Sequence, residues 1–375
     1  FTRRGLGGEI NIFFAKLFNI SLRQSIFVLQ SVLHTFYLLF LLNFIKKINF
    51  NIAQIFALFT PIFILYPIAE LEVLGRKEML LFLFFITSIF LMDKTYSPNF
   101  LNIYILIFFP LACLVWEQIV LYAPYFVILV IFKNNLETFR KTFFKVLIIF
   151  GPSILTFLII FLFPLSKLGH QNMCNYLLIE FNEKCYMSAD LLIKNTIYFD
   201  TFNVVHGKAS FQHYFRYLLI IFIGFFPLNF LLFKNSFKYK DNFITKNFKL
   251  HNIFLILYSP SILLFLFGYD WGRWVNITYT FSILLYFYLL KNELITNDFI
   301  MRNIFSRLLN NKRSFLIIFI IFAFGWNQKT VLTGDIATNS LYKIVYNSTK
   351  IIFNHDGLRI LQDNPIIKFH RNYIE

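Results

Sequence analysis

Long apolar runs separated by short polar segments dominate the pattern of hydrophobic and polar positions along this chain. A helix needs about 20 mostly apolar residues to cross a bilayer, and fewer where it is short or re-entrant. The pattern therefore predicts an all-α, polytopic transmembrane helical bundle with about ten spans. The ten runs cover residues 26–44, 52–69, 79–92, 100–116, 118–132, 143–164, 215–233, 252–268, 274–290 and 314–326.

Two places in this pattern allow a re-entrant element instead of a full span. The third run, 79–92, is short. The fourth and fifth runs are joined directly at Trp116-Glu117, with no polar loop between them.

Basic residues between the runs indicate which side of the membrane each loop faces. If every run spans once, all the dense basic segments fall on one side, namely 46–47, 133–145, 234–249 and 291–313. Because cytoplasmic loops carry an excess of Lys and Arg, we assign that side to the cytoplasm. The opposite, outer side then receives residues 2–23, 70–78, the turn at Glu117, 165–214, the charged residues Asp270 and Arg273, and the tail from 327.

Two longer polar segments define the predicted domains. We expect residues 1–326 to form the transmembrane domain, with an external loop at 165–214, and residues 327–375 to form a small extracytoplasmic tail. An alternating stretch at 341–353 in the tail is compatible with a strand or a helix. Because the chain starts at Phe1 without Met, we also expect the protein to extend upstream.

The external loop contains two of the three cysteines, Cys174 and Cys185. On the outer face of a bacterial inner membrane they would form a disulfide that closes a small loop, or they would remain two reduced thiols. Neither shows the CxxC or Cys/His spacing typical of a zinc site.

Composition supports the membrane class and excludes several functions. Of 375 residues, 58% are hydrophobic and 14% are charged, whereas soluble domains carry about 25% charged residues. The net charge is +16, but the basic residues lie in short clusters beside apolar runs, so we expect contact with membrane lipids and none with nucleic acid. No P-loop, GxGxxG, HExxH or GxSxG motif occurs, and we expect no cofactor and no metal.

The stretch 267–274 carries the strongest candidate for a site. Asp270 and Arg273 lie three residues apart among Trp271 and Trp274, at the end of an apolar run. A charged side chain at bilayer depth costs about 2.5 to 3.5 kcal/mol on insertion scales, so the pair needs a partner or a purpose. Either the two charges neutralise each other at the interface, or Asp270 transfers a proton while Arg273 points toward headgroup phosphates.

Two other basic features lie on the same predicted side. Arg3 and Arg4 precede a glycine-rich segment, which suits bidentate binding of phosphate oxygens or the anchoring of an interfacial helix at 10–18. Arg76 belongs to the segment 70–78, which carries five charges. That segment is either a solvated turn or a second place for phosphate binding.

Three further side chains complete the candidate set. Glu117 stands between Trp116 and an apolar run, where a carboxylate suits general acid or base catalysis, or simply caps a helical hairpin. His213 and Arg216 share a helix face at the start of a span. There they would accept a proton and hold a diphosphate, or serve as ordinary interfacial residues.

Together these features resemble the polytopic bacterial membrane proteins of surface-polysaccharide assembly, which include Wzy-type O-antigen and capsule polymerases and GT-C type glycosyltransferases. The features that carry the resemblance are Arg3-Arg4-Gly5-Leu6-Gly7, Gly75-Arg76-Lys77-Glu78, Trp116-Glu117, the long external loop and Asp270-Trp271-Gly272-Arg273-Trp274.

The resemblance implies glycosyl transfer at the outer face of the bacterial inner membrane, with a polyprenyl (undecaprenyl) diphosphate-linked sugar as substrate and no nucleotide donor. The arginines at 3, 4, 76, 216 and 273 would bind phosphate, and Glu117, Asp270 and His213 would transfer protons. The rival prediction is a flippase or transporter that binds the same lipid-linked oligosaccharide without making bonds, and a non-enzymatic membrane protein is a third possibility. A carrier should need polar residues at mid-membrane depth, and the apolar runs suggest few of them.

Overall fold

The computed structural model describes residues 5–46, 48–70, 73, 76–93, 95–185, 192, 207, 209–297, 311–333 and 340–353. Their regular structure is helical, and the one extended pairing among them is an isolated bridge between Phe237 and Ile295. The helices are α1 (Gly5–Phe18), α2 (Leu22–Ile45), α3 (Ile52–Leu58), α4 (Tyr66–Ala69), α5 (Glu78–Phe90), α6 (Pro98–Val115), a 3-10 helix (Glu117–Tyr122), α7 (Ala123–Asn134), α8 (Phe139–Leu162), α9 (Lys167–Phe181), α10 (Phe211–Lys234), α11 (Phe243–Asn247), α12 (Leu250–Phe267), α13 (Trp271–Lys291), α14 (Lys312–Phe324) and α15 (Ser340–Phe353).

Five helical segments of the described chain are long and apolar enough to cross a membrane. They are α2, α6, the continuous segment Glu117–Asn134, α8 and α10. Helices α5 and α12 are apolar but shorter. The prediction of an all-α multi-pass membrane protein is confirmed at this level, whereas the count of ten spans is not.

Helix α13 forms the centre of the bundle and is buried on every side. It packs against α5, α7, α10 and α12, and almost every residue from Trp271 to Leu290 is buried. Phe281 shows how dense this packing is, because its ring contacts five other aromatic rings, those of Phe82, Phe85, Tyr122, Tyr125 and Phe126. The helix that follows Asp270 is therefore enclosed by protein.

The predicted span 52–69 is interrupted. Helix α3 ends at Leu58 and α4 begins only at Tyr66. Pro61 lies in the break, and proline lacks the amide that a continuous helix would use. Free backbone carbonyls are tolerated at membrane depth only where protein groups satisfy them, and α13 supplies those groups. Asn276 donates to the carbonyls of Ile62 and Phe63 at 2.8 and 3.2 Å, and Tyr279 donates to Ala57 O at 2.6 Å.

Segments from the predicted cytoplasmic loops meet at one end of the bundle, which we call the basic end. Lys291 Nζ donates to Phe44 O, and Lys133 Nζ donates to the carbonyls of Met92 and Asp93. The segment after α10 joins them, since the Lys238 amide donates to Leu294 O at 2.9 Å. The predicted clustering of these basic segments on one side agrees with this geometry.

The described part of the external loop lies at the opposite end of the bundle. Helix α9 contacts α1 through the ion pair Lys16–Glu180 at 3.4 Å, and the segment after α9 contacts the start of α2 through Arg23–Glu183 at 2.6 Å. Cys174 and Cys185 form a disulfide with 5.5 Å between their Cα atoms. His170 lies close to both sulfurs, but disulfide sulfurs are not the thiolates that a metal site requires.

Candidate functional site

The turn between α12 and α13 exposes Asp270 at the end of the buried central helix. Trp271 stabilises this turn, because its indole N–H donates to the carbonyls of Phe265 and Gly268, each at 3.0 Å. Asp270 is the residue that precedes the first turn of α13. An anionic side chain is stabilised near a helix N-terminus by the helix dipole, so the position itself favours a carboxylate.

Two arginines contact the same oxygen of Asp270. Arg76, just before α5, places Nη1 2.9 Å from Asp270 Oδ2, and Arg273, one turn into α13, places Nη1 3.2 Å from it. The Asp270 and Arg76 side chains are 28% and 24% exposed. The pair therefore presents a carboxylate and a guanidinium to whatever approaches this end of the bundle.

Arg273 holds the cluster from its buried side. Its Nε forms an ion pair with Glu78 Oε1, and only 1% of the Glu78 side chain is exposed. The guanidinium also lies over the Trp116 ring, 5.2 Å from the ring centroid, in a cation–π contact. We call Arg76, Glu78, Asp270 and Arg273 the Asp270 cluster; its two positive and two negative formal charges cancel, which lowers the cost of burial.

The cluster unites elements far apart in sequence. Lys77 lies between Arg76 and Glu78 in the sequence. Its Nζ donates to Val115 O at 3.1 Å, next to Trp116 and Glu117. A Cβ placed on Gly7 of α1 would lie 3.6 Å from the Lys77 side chain. The start of α1, the segment before α5, the 116–117 turn and the start of α13 therefore meet at one end.

The beginning of the predicted tail packs directly on the start of α13. The Gly272 amide donates to Thr330 O at 3.1 Å, and the Leu332 amide donates to Tyr269 O at 2.9 Å. On the opposite side of the segment, Tyr217 OH donates to the carbonyls of Lys329 and Val331, and Arg216 donates to Leu332 O. We call residues 327–332 the plug segment, since Asn327, Gln328, Thr330 and Leu332 are each at most 1% exposed.

A second charged cluster fixes the tail to α4. Glu70 Oε1 is approached by Lys343 Nζ at 2.6 Å, by Asn327 Nδ2 at 3.2 Å and by Lys329 Nζ at 3.6 Å. Burial lowers the pKa of Lys343, although the Glu70 carboxylate acts in the opposite direction. Three tail residues thus converge on one carboxylate oxygen.

The structure brings three predicted site residues into contact, namely Arg76, Asp270 and Arg273. Glu117 is buried beside them, directly after the Trp116 that contacts Arg273. Arg216 lies on α10 and contacts the plug segment. Arg3 and Arg4 fall outside the described residues.

His213 serves as part of a helix cap. Its Nδ1 accepts a hydrogen bond from the amide of Ser210, the residue that caps the N-terminus of α10, at 2.9 Å. This contact occupies the ring nitrogen nearest the backbone. Its predicted role in proton transfer remains a prediction, and it would have to use the other nitrogen.

One local expectation from the sequence is corrected. The segment 70–78 is not a solvated turn where it is described, since Glu70 is 6% and Glu78 is 1% exposed. The reason is that its charges find partners from distant parts of the chain. The Arg273 guanidinium contacts Glu78 and Trp116, and its orientation toward the headgroup layer stays a prediction.

Sequence reasoning missed several residues of the site. Glu78 and Trp116 were read only as parts of motifs, yet they define the position of Arg273. Lys329 and Lys343 were assigned to a tail without a role, yet both contact Glu70. The one signal for the plug segment is Gly272, where a side chain would collide with Lys329 O.

Comparison of the chain with protein-family models, with curated proteins and with solved structures finds no match. The resemblance to polysaccharide-assembly proteins therefore remains a prediction, and the chain is identified here by its own fold as a multi-pass helical membrane protein.

Proposed function

We propose that this protein catalyses glycosyl transfer in surface-polysaccharide assembly, on undecaprenyl-diphosphate-linked sugars at the outer face of a bacterial inner membrane. One observation carries the proposal: a partly exposed carboxylate, Asp270, lies 2.9 Å from a partly exposed guanidinium, Arg76. Such a pair suits a substrate that offers a hydroxyl to the carboxylate and a diphosphate to the guanidinium.

In the proposed reaction Asp270 accepts the proton of the acceptor hydroxyl, and Arg76 stabilises the negative charge of the leaving diphosphate. The acceptor hydroxyl oxygen bonds to the anomeric carbon of the donor sugar, and the bond from that carbon to the diphosphate oxygen breaks. Asp270 takes the hydroxyl proton as general base, and the diphosphate leaves with the electron pair. Once Asp270 is protonated it no longer attracts Arg76 as an anion, so Arg76 is able to stabilise the charge on the leaving diphosphate.

Other residues support this pair. Arg273 acts as a positioning residue, because it contacts Asp270 on one side and Glu78 and Trp116 on the other. Lys329, with 28% of its side chain exposed, is a further cation at this end for phosphate binding. Arg3 and Arg4 remain proposed phosphate ligands, since they immediately precede α1, whose Gly7 lies beside Lys77.

Two observations support an outer-face location for the Asp270 cluster. The basic end lies opposite the cluster, and basic segments mark the cytoplasmic side. The Cys174–Cys185 disulfide lies at the same end as the cluster, and disulfides persist in oxidising compartments such as the bacterial periplasm. Both agree with catalysis outside the cytoplasm and with the absence of a nucleotide donor.

A carrier for the same lipid-linked oligosaccharide is the second candidate, and the interrupted helix favours it. Many transporters bind their substrates at helices that break at mid-membrane depth. Here the carbonyls of Ile62 and Phe63 in the break accept hydrogen bonds from Asn276, and the carbonyl of Ala57, at the end of α3, accepts one from Tyr279. Because these groups serve the fold, we rank transfer ahead of transport.

The test is the length distribution of surface glycan in a deletion strain complemented with variants at matched membrane levels. We expect Asp270→Asn, which keeps the size of the side chain but removes the base, to lower the rate at which polymerised glycan accumulates by at least about 100-fold, in the range of general-base catalysis. Arg76→Gln should cause a smaller but clear loss.

Asp241→Asn is the matched control, because Asp241 is an exposed carboxylate in the segment between α10 and α11, at the basic end. It should leave the glycan unchanged. An unchanged glycan with Asp270→Asn, in a strain where the variant is fully inserted, would mean that the Asp270 cluster is only a structural brace.

A further inference from the structure

Helix α15 of the tail turns its polar side chains toward the bundle. Lys343 forms the ion pair with Glu70, and Asn347 donates from Nδ2 to Ala69 O at 2.7 Å. These residues are four apart and therefore share one helix face. The two contacts fix the rotation of α15 about its own axis.

The opposite side of α15 is apolar and exposed. Val345 is 65% exposed, Ile352 is 56% exposed and Leu341 is 46% exposed. These positions recur at helical spacing and lie on one face, which we call the stripe and which also carries the exposed hydroxyl of Ser348 between Val345 and Ile352. This is the reverse of a helix on a water-facing protein surface, where the polar face points outward.

The neighbours of α15 indicate what covers this stripe. The helix packs on α4 and on α14. Helix α14 is itself apolar, with Ile317 and Ile321 58% and 64% exposed, as expected for a surface in contact with acyl chains. Helix α15 thus adjoins another helix whose apolar side chains are exposed.

Aromatic and basic side chains border the stripe. Tyr342 and Tyr346 are both exposed, and their rings stack 5.7 Å apart. Lys350 Nζ lies over the Tyr346 ring, 4.5 Å from its centroid. Tyrosine and lysine with an apolar body and a polar tip are typical of the membrane–water boundary.

We propose that α15 is an interfacial membrane helix, which lies in the plane of the bilayer with Leu341, Val345 and Ile352 in the acyl-chain boundary. The occupant of its apolar face is lipid. Such helices bury their apolar face about 5 to 10 Å into the headgroup and acyl boundary. Helix α15 of the tail therefore returns to the membrane.

The experiment measures the surroundings of a nitroxide label on Val345→Cys in phosphatidylethanolamine–phosphatidylglycerol vesicles. A Cys113→Ser background leaves one reactive thiol, because Cys174 and Cys185 are joined. Collisions with oxygen report lipid, and collisions with a water-soluble nickel chelate report water. Two reference labels calibrate the result: Leu155→Cys on the exposed face of α8 for lipid, and Asp241→Cys for water.

We expect the ratio of oxygen to nickel collisions at position 345 to exceed that at position 241 several-fold and to approach that at position 155. Ile352→Cys repeats the measurement on the same stripe if the first variant does not fold. A ratio equal to that at position 241 would overturn the proposal. So would spectral broadening that disappears on dilution with unlabelled protein, since a second copy would then cover the face. Neither outcome bears on glycosyl transfer, which the experiment does not measure.

Discussion

Replacing Gly272 with alanine is expected to lower the melting temperature of the detergent-solubilised protein by about 5 °C or more. A Cβ at this position would collide with Lys329 O, a backbone atom that is itself fixed. The plug segment would have to move away from α13. That movement would break the hydrogen bonds from Gly272 to Thr330 O and from Leu332 to Tyr269 O.

Gly151→Ala is the matched control for this experiment. Gly151 lies within α8, and nothing lies within 4 Å of a Cβ added there. A helical glycine with free space around it gains up to about 1 kcal/mol when it becomes alanine, so the control should be neutral or stabilising. Equal melting temperatures for the two variants would contradict the packing of residues 327–332 on the central helix.

Replacing Glu78 with glutamine is expected to destabilise the protein by about 3 to 5 kcal/mol, which is the usual cost of removing one partner from a buried ion pair. Glu78 is the partner that holds Arg273 Nε, and the alternative carboxylate, Asp270, is already shared with Arg76. Arg273→Gln should cost a similar amount, because it leaves the Glu78 carboxylate buried without its cation. Both changes are measured by heating the detergent-solubilised variants and determining, by size-exclusion chromatography, the fraction of folded protein that remains at each temperature.

A double-mutant cycle separates the pair from its surroundings. The double variant Glu78→Gln/Arg273→Gln should cost clearly less than the sum of the single variants, because neither charge then remains alone. Arg23–Glu183 is the control pair, with a contact of 2.6 Å but side chains that are 45% and 20% exposed. Glu183→Gln should cost at most about 1 kcal/mol. Additive single variants at 78 and 273 would show that the two side chains do not interact.

The helices were predictable from the sequence because an apolar run of sufficient length leaves few alternatives. The interruption between α3 and α4 was not, although Pro61 and Pro67 in the run 52–69 were available as signals. What makes the break tolerable is Asn276 and Tyr279 on α13, more than 200 residues away. The same hydrogen bonds place polar side chains at the centre of the bundle, where the apolar runs suggested few.

The candidate site was predictable only in part. Asp270, Arg273 and Arg76 stood out because charges beside apolar runs are costly. Their partners did not, because the 194 residues that separate Arg76 from Asp270 carry no pattern that reports the contact. The plug segment was missed for a different reason: polar residues such as Asn327 and Gln328 suggest a solvated tail, yet both are buried.

The most direct measurement is the elongation of a defined undecaprenyl-diphosphate oligosaccharide by the purified, full-length protein in vesicles, with products followed by mass spectrometry. We predict lengthened lipid-linked products with the wild type, and bound but unextended substrate with Asp270→Asn. Movement of unaltered substrate across the vesicle membrane, or identical product from wild type and Asp270→Asn, would contradict the account of Asp270 as the catalytic base.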